Sequence, residues 1–458
     1  MCDPFDERDS RPNADRTNLA QPGIAAELAC NLASSNALIN LDRDNQHIEM
    51  DDYIPAHDAA AQLGISAATL YAYVSRGLIE SRPGDDHRSR VYRRRDVERL
   101  AARKRAGRGA ARGAAQSLDR GLPVMETRIS LIRPEGPHYR GQAAISLVRE
   151  GATLEDAARI LWDCGDHDPF ARVPPTAWPA TIDAIATNAS LPPLERALAS
   201  IPLLALDVHH SFNAAPNVRR DIAALLLRQN AALLVAQQAD SQPVHRLLAR
   251  CWKPRDPRFA ELVRTALVLC ADHELNVSAF AARVVASTGA HLHATVCAGL
   301  AALSGPRHGG ATARAYALIA DSNAAPSMID FVSERWRRGD DLPGFGHALY
   351  PDGDPRASAL LALLRASAGR SKAMTHIAKL VEHVEETSGQ RPNIDFMLAA
   401  ICFAYELPAT PALVLFAAGR LAGWLAHALE QQTLGGLIRP RARYTGLMPS
   451  SGETKPVD

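Results

Sequence analysis

Four short clusters set groups able to move protons or hold anions beside loop-forming Gly or Pro. They are DHELNVSAFAARVVAST (272–288), SGPRHGGA (304–311), LPGFGHALYPDGDPRA (342–357) and RPNIDF (391–396). A fifth, AAGRLAGWLAHALEQ followed by LIRPRARYTG (417–446), sets Arg420 inside a helical pattern and Arg439 just before a Pro. Together they supply His273, His308, His347, Asp395, Arg356, Arg420 and Arg439. Convergent imidazoles, a carboxylate and several guanidinium forks would bind a dicarboxylate and run acid–base chemistry. Taken singly, each has an ordinary alternative. A lone His in a helical chain is usually a core or surface residue, and an Arg near a chain end is usually a surface cation. Asp395 after Pro-Asn could cap the helix FMLAAICFAY, and Gly-Phe-Gly-His could be a plain turn.

The elements that must position them are helical. ATLEDAARILWD places Ala152, Leu154, Ala157, Ile160 and Leu161 on one stripe behind a Thr153 cap with acids in the first turn. DIAALLLRQNAALLVAQQA and FMLAAICFAY have the same period, and alternating strand patterns are nearly absent. From about 122 to 447 the spacing therefore predicts a large, mainly α domain punctuated by Pro and Gly.

The remaining composition bounds the class. The chain has 458 residues, 47% hydrophobic and 22% charged, which allows about three compact units and excludes a wholly disordered polar chain. Net charge is +1, so overall charge argues for no particular partner. Seven scattered cysteines, with no CxxC pair, exclude a disulfide scaffold and give no zinc signature; no metal site is expected, and a reducing cytoplasm is. The start, MCDPFDERDSRPNADR, has no apolar core and does not read as a signal peptide. The longest uncharged stretch, Val284–Pro306, holds His291, His293 and several Gly, and reads as a buried helix, not a membrane span. Residues 1–50 read as disordered, 51–105 as a compact module, 106–121 as an Ala/Gly/Arg-rich linker and 448–458 as a polar tail.

Within the module, AHDAAAQLGISAATLYAYVSRGLI reads as two helices with a turn at Leu63-Gly64-Ile65 and Ser66 as N-cap of the second. Val91-Tyr92 could re-enter as a strand. Residues 82–112 carry twelve Arg/Lys against four acids, a local +8 of the kind phosphate binding needs. The pattern AAxxLGISxxTLYxYxxxGLI, followed by R…R.Y…DVERL, resembles the winged helix-turn-helix of MerR-like regulators. In that family the second helix enters the major groove and the wing meets backbone phosphates. The resemblance implies Thr69, Tyr71 and Tyr73 near DNA and Arg88, Arg90 and Arg93 on its backbone. A solvated basic face, or a docking module, is the alternative.

The five clusters of the helical region together resemble the citrate synthase family over about 122–447, in the family's order and spacing. The resemblance implies an all-helical fold of a large and a small domain, the small one roughly 309–400, working as a homodimer with sites in the interdomain clefts. It implies condensation of an acyl-CoA, usually acetyl-CoA, with a 2-oxo acid, usually oxaloacetate, then thioester hydrolysis to release CoA. No cofactor is implied beyond acetyl-CoA as co-substrate. Carried over, Asp395 takes a proton from the acetyl methyl, His308 hydrogen-bonds the thioester oxygen, and His347 polarises and protonates the oxaloacetate carbonyl. His273, Arg356, Arg420 and Arg439 hold the carboxylates, the last across the dimer. The chain departs from the usual bacterial pattern at Arg307, Thr312, Ala348, Pro351 and Arg391, positions that bear on CoA affinity and acyl choice. Use of propionyl-CoA, and a regulator whose synthase-like domain senses a metabolite, are the alternatives.

Overall fold

The computed structural model describes residues 52–75, 78–84, 89–98, 101, 125–171, 177–207, 215–442 and 444–447. The segment 1–50, the linker 106–121, the tail 448–458 and Arg88 lie outside the described residues. Internal contacts divide the chain into two units, 1–124 and 125–458.

In the first unit three short antiparallel strands, β1 (Tyr53–Pro55), β2 (Ser81–Pro83) and β3 (Arg90–Arg93), lie in the order β1-β3-β2. Tyr92 of β3 faces Ile54 on one side and Ser81 on the other. The helix Ala56–Leu63 stops at Gly64 in a left-handed conformation. Ser66 Oγ then accepts from Thr69 N at 3.3 Å, starting the helix Ala67–Ser75 as the sequence leads one to expect. Ile54, Ala59, Leu63, Leu70, Ile79, Tyr92 and Val97 form a small core. The strand at Val91-Tyr92 is present. Its partner β1 is too short to show a period of two, and so went unseen.

The second unit opens with a three-stranded antiparallel sheet, β4 (Ser130–Arg133), β5 (Gly136–Tyr139) and β6 (Gln142–Ala143), and from there to Leu434 its described elements are helices. Thr153 closes a capping box with Asp156, and Leu154, Ala157 and Leu161 are buried behind it. The axis of the unit is the helix Thr410–Leu434. Among the described residues it is the one helix long and apolar enough to cross a membrane, but 94% of its apolar window is buried inside the unit. Small residues let neighbours reach its backbone. Gly423 N donates to Ala271 O at 2.9 Å, and a Cβ at Gly423 would stand 2.2 Å from Asp272 Oδ1. The uncharged stretch 284–306 is not one helix, as the sequence suggested. It is shared between Val277–Ser287 and Leu292–Leu303, with a break at Gly289, whose φ is +83°.

Candidate active site

Most of the functional groups of the site stand at or beside a helix end; Arg420 is the exception, inside the helix Thr410–Leu434. Asp272 and His273 follow the helix Pro257–Cys270, in a turn that forces Glu274 to a φ of 57°. The turn is held by Ser130. Its hydroxyl donates to Asp272 Oδ2 and accepts from Glu274 N at 3.1 Å. Asp272 is fully buried 3.3 Å from His427 Nε2; burial alone would raise its pKa, but His427, Arg420 and Ser130 outweigh it and hold the carboxyl below its usual range. His273 points into the site with its Nε2 3.0 Å from the Tyr350 hydroxyl.

The two loops that carry His347 and Asp395 are joined backbone to backbone. Asn393 N donates to Gly344 O at 2.8 Å, Gly346 N to Arg391 O at 2.9 Å, and Asn393 Nδ2 to Gly346 O at 2.9 Å. Gly344 is required here: its φ is +88° and a Cβ would lie 2.7 Å from that of Phe396. The cap of the helix Ile394–Ala404 is Asn393, whose Oδ1 accepts from Asp395 N and Phe396 N. Asp395 is therefore not the cap, and its carboxylate accepts no hydrogen bond within the described residues. Burial pushes it up to about 6, against the pull of Arg356 and Arg420.

Arg356 shows the opposite arrangement. Asp354 caps the helix Pro355–Ala368 and grips the guanidinium of Arg356 at 2.9 Å (Nε) and 2.8 Å (Nη2), both side chains being buried. Asp354 Oδ2 also accepts from Ile394 N at 3.0 Å, tying this pair to the Asp395 helix. Burial would raise Asp354, but Arg356 holds it below the usual carboxylate range. The Nη1 of Arg356 is left free of Asp354. Arg420, 1% exposed, donates Nε to Cys270 O at 2.7 Å, and its Nη1 has no partner.

His308 sits on a tight turn between the helices Leu292–Leu303 and Gly310–Ala324. Gly309 N donates to Leu303 O at 3.0 Å, where a Cβ on Gly309 would stand 2.3 Å from that oxygen. Ser278 Oγ lies 2.8 Å from His308 Nε2 and accepts from the Trp424 indole at 3.0 Å. Burial and then Arg420 lower His308 to about 4. Burial and Arg356 likewise lower His347, while burial, Arg356, Arg420 and His347 together hold His273 well below the usual range. All three imidazoles are neutral near pH 7. The backbone N–H of Leu349 donates to His347 Nδ1 at 3.1 Å, so the neutral ring carries its proton on Nε2.

The structure thus brings His273, His347, Tyr350, Arg356, Asp395, Arg420 and His308 into one electrostatic neighbourhood: Arg420 bears on His273, His308 and Asp395, and Arg356 on His273, His347 and Asp395. Arg439 is not part of it within this chain. It is exposed in the segment after Leu434 and makes no hydrogen bond or ion pair among the described residues. Sequence reasoning missed Tyr350, Asp354, Ser278 and Trp424. The Asp-Pro before Arg356 was a legible cap signal, but the other three are long-range partners.

In the first unit the residues assigned to DNA divide. Tyr71 is 54% exposed, and Arg90 is exposed on β3. Thr69 Oγ1 is bonded to Ser66 Oγ at 3.0 Å, and Tyr73 packs against the core. Arg93 is held by Glu80 at 2.7 Å and lies 3.6 Å from Asp52. Tyr73 and Arg93 are thus engaged within the module, because the strand that displays Arg93 is flanked by two acids and the helix turns Tyr73 inward.

Fold and site define an enzyme: a helical scaffold holding an uncapped carboxylate and neutral imidazoles over buried guanidinium groups. Residues 117–441 match the citrate synthase C-terminal domain, and residues 55–106 match the MerR helix-turn-helix regulatory proteins. The putative citrate synthase 2 of Mycobacterium tuberculosis is 33% identical over 339 residues, covering 69% of this chain and 88% of that protein. A citrate synthase of Haloferax volcanii is 40% identical over 192 residues, 41% of this chain and 51% of its own. A 2-methylcitrate synthase of Shewanella oneidensis is 33% identical over 192 residues, 41% of this chain and 51% of its own. The citrate synthase of Thermoplasma acidophilum, solved with carboxymethyl coenzyme A and oxaloacetate, shares the fold at a TM-score of 0.61 and 22% identity, over 75% of this chain and 98% of that one. The chain belongs to the citrate synthase family.

Proposed function

We propose that the second unit condenses the acyl group of a CoA thioester with oxaloacetate and hydrolyses the product thioester to release CoA. The observation that carries this reading is the Asp395 carboxylate, freed from capping by Asn393 and raised by burial. A thioester methyl is weakly acidic, and a poorly solvated carboxylate is a better match for it than one in water. Asp395 takes that proton, and His308 donates a hydrogen bond to the thioester oxygen as it becomes an enolate. The Ser278 hydroxyl engages His308 Nε2, which leaves Nδ1 as the ring nitrogen that faces the substrate. The carbanion attacks the ketone carbon of oxaloacetate, whose oxygen is polarised by Nε2–H of His347. The free edges of Arg420 and Arg356, with His273, take the carboxylates. Hydrolysis then breaks the C–S bond, and water supplies the hydroxyl of the new carboxyl group.

Arg439 would complete a neighbouring subunit's site in a homodimer. Its exposed position away from its own cluster supports this, and mixing Arg439→Ala with Asp395→Ala subunits should restore activity if sites are shared. Acetyl-CoA and propionyl-CoA differ by one methylene, worth about 1–3 kcal/mol in a pocket, and a 2-methylcitrate synthase is among the relatives. The first unit would bind DNA through Tyr71, Arg90 and the basic stretch 82–112, in a cytoplasmic protein. CoA release measured with oxaloacetate and each acyl-CoA tests the main reading. Oxaloacetate binding without CoA release from any thioester would sink it, in favour of a metabolite-sensing regulator.

A further inference from the structure

We propose that Arg307 and Arg314 form the subsite for the phosphate groups of the CoA thioester; this deepens the proposed function and rests on it. A CoA thioester with its oxygen on His308 must place several phosphate charges outside the reacting centre. The guanidinium groups inside the site are not available to them. Arg356 is buried and gripped by Asp354, and Arg420 is buried and held by Cys270 O. Behind His308 the way is closed by the fully buried Trp424 and by Phe416, whose ring stands 5.6 Å from that of His308. The turn 304–310 itself reaches solvent, with Ser304, Pro306 and Arg307 exposed.

Two cations stand on that turn or against it. Arg307, one residue from His308, is exposed and makes no hydrogen bond or ion pair among the described residues. Arg314, also exposed, donates Nη1 to Pro306 O at 2.8 Å, and its charge reaches Asp395. Arg314 is thus fixed to the Arg307 turn. The other guanidinium on the adjoining loops, Arg391, is already taken by Glu385 at 2.7 Å and by Asp352 O at 2.8 Å. After His347 come the neutral Ala348 and Leu349. The turn is rigid, because Gly309 is locked against Leu303 O and His308 N donates to Gly305 O at 3.0 Å. An uncommitted guanidinium on a fixed backbone is what bidentate phosphate recognition needs.

The test compares acetyl-CoA with acetyl-pantetheine, which carries the same thioester and no phosphoryl anhydride or 3′-phosphate, in the full chain and in Arg307→Ala, Arg307→Glu and Arg314→Ala. The KM for acetyl-CoA should rise roughly ten- to a hundredfold in Arg307→Ala, as loss of a charge-assisted hydrogen bond implies, and further in Arg307→Glu. Arg314→Ala should change it in the same direction. The KM for oxaloacetate should not follow. With acetyl-pantetheine the parent and the variants should come together. Equal losses with both thioesters would show that the arginines act on the His308 turn and not on phosphate, and no loss with either would show that they touch nothing; both overturn the proposal. Calorimetric binding of CoA and of pantetheine to the same proteins is read in parallel. A chain that binds CoA through Arg307 but releases none from its thioesters fails only the proposed function. One that binds neither compound fails both.

Discussion

Asp354 and Asp395 stand at the starts of neighbouring helices and both feel Arg356, yet their titrations move in opposite directions. Asp354 caps its helix, holds two nitrogens of Arg356 and receives Ile394 N, so every favourable contact goes to its charged form. Asp395 has lost its capping work to Asn393 and has no donor in its place, so burial decides, and its carboxyl rises to about 6. One carboxylate is built to stay charged and to hold the guanidinium that the proposed reaction uses for substrate. The other is left under-solvated so that it can take a proton. The difference lies in which residue caps each helix.

The comparison breaks first if Asp395 is not the base. Asp395→Asn keeps the shape and removes the base, and it should lower kcat by roughly 10²–10⁴-fold while oxaloacetate binding, followed by calorimetry, stays within a few-fold. A kcat within a few-fold of the parent would leave Asp395 without its role. The reverse profile is expected of Asp354→Asn. It strands Arg356 as an uncompensated buried charge and should cost about 3–5 kcal/mol of stability, seen as a lower denaturation midpoint. Binding of oxaloacetate should weaken with it, because the freed guanidinium is no longer oriented.

The pH dependence sharpens the same contrast. Asp395 works as a carboxylate, so kcat/KM should fall about tenfold per unit as pH drops well below 6. Its folded-state pKa lies above the ordinary value, so its contribution to stability is full below the unfolded pKa and is lost as pH rises through about 6. Asp354 has a depressed pKa, so its contribution is present above the unfolded value and is lost as pH falls through the folded one. Asp395→Asn should therefore stabilise the chain at pH 8, by about 1–2 kcal/mol, and give little at pH 4, a gain bought with activity. Urea titrations at both pH values decide it. A destabilised Asp395→Asn at pH 8 would mean that burial is not what raises the carboxyl.

How much of this was legible differs by range of contact. The residues that touch substrate in the proposed reaction stand out in the sequence because Gly and Pro mark their turns: Gly344 before His347, Gly309 after His308, Pro392 before Asp395. Thr153 and Ser66 were legible as caps because capping is a local event. Asp395 was left open as a cap because Pro-Asn-Ile-Asp offers two candidates, and only the backbone decides that Asn393 takes the post. Ser130 fixes the His273 turn from 142 residues away, and Trp424 reaches Ser278 across 146; no local pattern announces such partners. Arg439 carries no local signal beyond that of an Arg near a chain end, and it makes no hydrogen bond or ion pair among the described residues.

The smallest effect is expected where the two units of the chain are separated. His273, His308, His347, Arg356, Asp395, Arg420 and Arg439, and the helpers Ser130, Ser278, Tyr350, Asp354 and Trp424, all belong to the second unit, 125–458. The module of strands and short helices has a core of its own, from Ile54 to Ala101, and the large core begins at Ile129. Each core is a cluster of its own, so a chain beginning at Gly121 should stay soluble and keep kcat within about twofold, a change under about 0.5 kcal/mol of barrier. Its KM for oxaloacetate should be equally steady. Binding to duplex DNA should be lost with the module, and in the full chain it should weaken steeply as salt rises, because bound Arg and Lys release counterions. A soluble truncated chain whose kcat collapses would place part of the catalytic machinery before Gly121. A steady kcat with a shifted KM would make the module a regulator of substrate entry, and DNA would then be the first ligand to test for its effect on that KM.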